Sequence, residues 1–94
     1  MNTDFTGLFE QENNQFFKVY PNPTTGSFTL ELKGVAEDAK VKVEIYGILG
    51  DLIQKKDITG QKQQVFDLSG RQHGVYLIRV MYGDQMGLTK IIKH

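Results

Sequence analysis

The chain has 94 residues, enough for one compact domain and too few for two. Apolar residues make up 39% and charged residues 23%, and 11 Lys plus Arg balance 11 Asp plus Glu, which excludes a disordered polyelectrolyte and argues against nucleic acid or an anionic membrane as partner. With no Cys and no apolar run near the ~20 residues that span a bilayer, disulfides, thiolate metal sites and direct membrane insertion are not expected.

Residues 1–15 show neither a helical nor a two-residue period and are predicted to be a flexible linker or lead-in. Phe5, Leu8 and Phe9 interrupt its polar texture, and loose docking on the domain is the first expectation for them. No basic stretch followed by an apolar one opens the chain, so no export leader is predicted and Met1 is expected to be an artificial start of an excised piece.

Ordered texture begins at Phe16. A short apolar and aromatic run to Tyr20 stops at Pro21-Asn22-Pro23-Thr24-Thr25-Gly26, where two prolines remove backbone donors and a glycine frees φ, so a turn is required. Ser27 to Lys33 then alternates cleanly, with Phe28, Leu30 and Leu32 on one face, as a half-buried strand does. Val41, Val43 and Ile45 form the next inward row. Gly47-Ile48-Leu49-Gly50 makes a tight connection to Asp51–Lys56, so 41–57 reads as a hairpin. Gln63 to Leu68 is a fifth strand with Phe66 and Leu68 inward, followed by the loop Ser69–Gly74.

Val75 to Tyr82 carries apolar side chains on both faces, the pattern of a central strand; Gly83-Asp84 turns the chain, and Gln85 to Lys93 closes it. About seven short strands with turn signals between them and no helix predict an all-β fold, an antiparallel Ig-like β-sandwich. The Cys and Trp of antibody domains are missing.

Chemistry is sparse. His73 and His94 are the only histidines, too few for a zinc site, and no Asp/Asn pattern of a calcium loop occurs. Glu31, Glu44, Asp51, Asp57, Asp67 and Asp84 are scattered, and Ser27 and Ser69 lack a nucleophile motif. No catalytic residue, cofactor or metal is predicted, and the chain is not expected to be an enzyme. Tyr20, Tyr46, Tyr76 and Tyr82 sit near strand ends, where a ring packs and its hydroxyl stays wet; an aromatic platform of Tyr20, Tyr46 or Tyr82 would make an adhesive or carbohydrate-binding accessory module the alternative. The last strand is expected to present a free edge, guarded by Lys, to which a partner strand can add and through which weak homodimers can form.

Four blocks carry a family resemblance. Val19–Phe28, Val43–Gly50, Asp67–Ser69 with Gly74–Val80, and Gly87–Lys93 follow in order the motifs of the C-terminal sorting domain of the type IX (Por) secretion system of Bacteroidetes. The chain departs from that pattern at Gly47, usually Asp or Asn, at Asp51, often Lys, and at Arg71, commonly Leu. The resemblance, over residues 16–94, implies a non-catalytic export label on an N-terminal passenger. Its partners would be the outer-membrane shuttle and translocon and a sortase-like protease, with passage through the periplasm and release or anchoring at the cell surface. Recognition is expected at Pro21, Asn22, Pro23, Gly26, Gly74, Tyr76, Thr89, Lys90, Ile91, Ile92 and Lys93, and cleavage within Gln11, Glu12, Asn13, Asn14 and Gln15.

Overall fold

The computed structural model describes residues 16–94. The lead-in, its aromatic residues and the expected cleavage segment Gln11–Gln15 lie outside them. Seven strands follow in order: β1 Phe17–Tyr20, β2 Ser27–Leu32, β3 Val41–Gly47, β4 Leu52–Asp57, β5 Gln63–Asp67, β6 Gly74–Tyr82 and β7 Gln85–Lys93, and no helix occurs among the described residues. They form two antiparallel sheets, β1-β2-β5 and β4-β3-β6-β7. In constant-type immunoglobulin domains the fourth strand belongs to the first sheet; here it pairs with β3 instead, Lys42 opposite Asp57 and Glu44 opposite Lys55.

The two-residue period sets which side chains enter the space between the sheets. Phe28 and Leu30 on β2, Val41, Val43 and Ile45 on β3, Ile78 and Val80 on β6 and Ile91 on β7 are all buried. Phe17 and Leu68 complete the filling, and Phe28 stacks on Phe66 with ring centroids 5.5 Å apart. Removing one such side chain from water stabilises the fold by about 1.5–3 kcal/mol, and this supplies most of the drive to form the sandwich. Leu32, predicted fully inward, is half-buried at the margin of this core. Ile58 is fully buried although it lies in a connection, because its amide bonds the Val41 carbonyl at 2.9 Å and draws the chain back over the core.

Two predicted features are corrected. Tyr76 does not leave its hydroxyl wet: the ring is buried on β6 and the hydroxyl donates to the Gln72 carbonyl four residues upstream, as the tyrosine corner of immunoglobulin-like sandwiches does. And the edge of β7 is not free over its last residues. The partner that closes it comes from about 70 residues upstream, beyond the reach of local sequence pattern.

Candidate functional site

The register brings the four motif blocks to one pole of the sandwich. Gly47 at the end of β3 opposes Tyr76, and Gly74 opposes Lys93. Thr24, in the β1–β2 turn, bridges Lys93 in parallel fashion, and the Leu68 amide donates to the Gly26 carbonyl at 2.9 Å. Residues separated by most of the chain are therefore neighbours here.

The contact between the Pro21–Gly26 turn and the last strand is a clamp. Asn22 places its side-chain amide against the β7 edge as a peptide group would: Nδ2 donates to the Lys90 carbonyl at 2.8 Å, and Oδ1 accepts from the Ile92 amide at 2.9 Å. Thr24 continues the ladder with its main chain, its amide donating to Ile92 O and its carbonyl accepting from the His94 amide, each at 2.8 Å. A turn of the three-stranded sheet thus grips the outer strand of the four-stranded one. The grip also explains why Thr24 is buried, at 2% exposure, in a segment that reads as a surface turn. Its hydroxyl donates to the Ser27 carbonyl and accepts from the Gly26 amide, so no polar group is stranded. The flanking prolines suit a segment whose backbone donors are not all needed, and both X–Pro bonds are cis.

Gly26 is held to glycine by space, since a Cβ there would fall 2.8 Å from Ser69 Oγ. Gly74 is held by conformation, with φ at +148°. Between them Ser69 contacts Asp67 through its hydroxyl and through its amide, at 2.8 Å to Oδ1, which together with the Lys93 charge holds the Asp67 carboxyl below the ordinary carboxylate range. Because the folded value is the lower one, this stabilisation is complete above the ordinary carboxylate pKa and is lost as pH falls through the lowered one. The stability gap between the wild type and Asp67→Asn is accordingly expected to close below about pH 4, as read from urea midpoints across a pH series. A gap that does not narrow as pH falls below about 4 would refute the assignment.

Beside the clamp, an open cleft of about 370 Å³ separates the β3–β4 turn from the β5–β6 loop, with Ile48, Leu49, Arg71, His73 and Tyr76 along it. Leu49 is 91% exposed at its lip. Gly47 and Asp51 in the β3–β4 turn fit each other: the Asp51 carboxylate occupies the space over Gly47, where a Cβ would lie 2.6 Å from Oδ1. Gly47→Asp alone would set two carboxylates together and is expected to destabilise by about 1 kcal/mol, with Asp51→Lys restoring most of it in the double variant. Thermal melts of the three variants check this coupling.

Of the residues expected to be recognised, Pro21, Asn22 and Pro23 are exposed at the pole, and Lys90, Ile92 and Lys93 are half-buried along β7. Tyr76, Thr89 and Ile91 are buried, and Gly26 is enclosed. Sequence reasoning placed Asn22 in the turn but did not foresee its two bonds to β7, and gave Thr24 no role. The tyrosines proposed for a carbohydrate platform are not brought together. Tyr20 lies on the outer face of the three-stranded sheet with its hydroxyl donating to Glu31, Tyr46 lies on the outer face of the other sheet against Glu44, and Tyr82 packs on Phe16. Among the described residues no three His, Asp or Glu side chains cluster as metal ligands do, and no helix is long and apolar enough to cross a membrane.

The chain belongs to the secretion system C-terminal sorting domain family, whose model matches residues 18–94; it is a type IX sorting domain. It is 38% identical over 63 residues to an endo-acting ulvan lyase of Formosa agariphila, covering 67% of this chain and 12% of that protein. It is 31% identical over 75 residues to ulvan lyase NLR42 of Nonlabens ulvanivorans, covering 79% of this chain and 14% of that one. The chain thus spans a small fraction of the length of these relatives.

Proposed function

We propose that this domain is the export address of a larger secreted protein, and that the machinery reads the clamped pole. The supporting observation is the pair of hydrogen bonds from Asn22 to β7, which joins the Pro21–Gly26 turn to the Lys90–Lys93 strand. The passenger precedes residue 16, and its identity as a secreted enzyme is supported by the ulvan lyases among the relatives. The outer-membrane shuttle and translocon would engage the pole after passage through the periplasm. A sortase-like protease would then cut within residues 11–15, where the sequence loses its periodicity, releasing the passenger or leaving it on the cell surface.

The test is export of a reporter fused ahead of residues 1–94 in a bacterium that carries a type IX system. Asn22→Ala is expected to cut export at least several-fold while circular dichroism still reports a folded sheet. Full export of that variant would defeat the proposal for the pole. Sequencing the new amino terminus of the exported reporter checks the cleavage, and a cut inside residues 26–94 would defeat it.

A further inference from the structure

The two outer faces of the sandwich are unlike. On the three-stranded sheet, Lys18 opposes Glu31 and Tyr20 opposes Thr29, and the exposed large side chains, Tyr20 and Val65, lie on its two outer strands. On the four-stranded sheet the alternation of β6 and β7 leaves Val75, Leu77 and Met81 beside Met86, Leu88 and Ile92, with no third layer over them among the described residues. Across the two strands Leu77 pairs with Lys90, Arg79 with Leu88 and Met81 with Met86, so two cations stand among the apolar side chains. Two nine-residue strands give a face roughly 30 Å long and 10 Å wide, on which Met86 is exposed and the other apolar side chains are half-buried.

The same face is electropositive. Lys42, Lys55, Arg79 and Lys90 point outward with Glu44 and Asp57, a balance of 4 − 2 = +2 on a chain whose total is zero. Glu44 is already engaged, 3.1 Å from Arg79 Nε and accepting from the Tyr46 hydroxyl at 2.7 Å. Lys42, Lys55 and Lys90 make no ion pair among the described residues, and an open cleft of about 390 Å³ runs beside Lys42 and Lys55.

We infer that the outward face of β6 and β7, with its lysine margin on β3 and β4, docks a protein partner whose own surface interleaves apolar side chains with carboxylates. Burial of the apolar patch supplies affinity, and opposite charge at the margin sets orientation and encounter rate. A second copy meeting face to face would bring +2 against +2, a like-charge juxtaposition that opposes association. This surface is distinct from the Asn22 clamp and does not depend on the pole being the part read for export.

A photo-crosslinking residue at Leu88 in the full chain, fused to the reporter in the exporting host, tests the inference, with the same residue at Thr29 on the opposite face as control. The expected result is an adduct specific to Leu88, linked to an Asp/Glu-flanked apolar segment of one protein. Its yield should fall about tenfold in Lys42→Glu/Lys55→Glu chains that remain folded by circular dichroism. Adducts to a second copy, to residues 1–15 of the same chain or to lipid would overturn the inference. So would equal labelling from Thr29, indifference to the charge reversal, or no adduct at all.

Discussion

Deleting Ile91–His94 is expected to unfold the domain rather than merely blunt its tail. Ile91 is fully buried, so its loss opens a cavity at about 2–5 kcal/mol, the range for removing a large aliphatic side chain from a core. The deletion also strips the partners of Asn22 Oδ1 and of both Thr24 main-chain groups, bonds worth about 0.5–1.5 kcal/mol each. Against a total of about 5–15 kcal/mol for a small domain, the sum removes most of the stability. Urea denaturation should show a lost or strongly shifted transition; a truncated chain with an unchanged midpoint would refute this account. Export failure after such trimming therefore cannot separate a lost contact from a lost fold, and single changes at Asn22 are the cleaner probe.

The second large effect is expected at Gly87. It faces the core beneath β1, and a Cβ there would lie 2.5 Å from Phe17 Cε1 on a ring that has no exposed surface to retreat into. Gly87→Ala should cost about 1–3 kcal/mol by overpacking. Phe17→Leu in the same chain shortens the intruded ring and should recover part of that loss, a coupling that a double-mutant cycle on urea midpoints measures. Additive costs would mean that the two residues do not meet.

How far the sequence discloses this molecule depends on whether the governing contact is local. Phe28, Leu30, Val41, Val43 and Ile45 alternate with polar neighbours, so strands and inward faces follow from the period alone. Gly83-Asp84 joins β6 to β7 as predicted because a hairpin is written in adjacent residues. What was not legible is pairing between distant segments. Asn22 reads as a turn former, and nothing nearby marks it as a surrogate strand for Lys90 and Ile92. The same distance explains the edge of β7, expected to be open and in fact bonded from Lys90 to His94. Ile58, flanked by Asp57 and Thr59, carries no periodic signal, and only its bond to Val41 reveals that it is core. The apolar double face of β6 was legible, but a central strand covered on both sides and one left bare outside look alike in sequence.

A chain emerging from the ribosome presents Asn22 and Thr24 long before Ile92 exists to receive them. A product abandoned anywhere short of Ile91 has an unfinished core and an unoccupied grip. Closure of the sandwich therefore waits on its final strand, and the stability of the domain reports whether its last residues have been made.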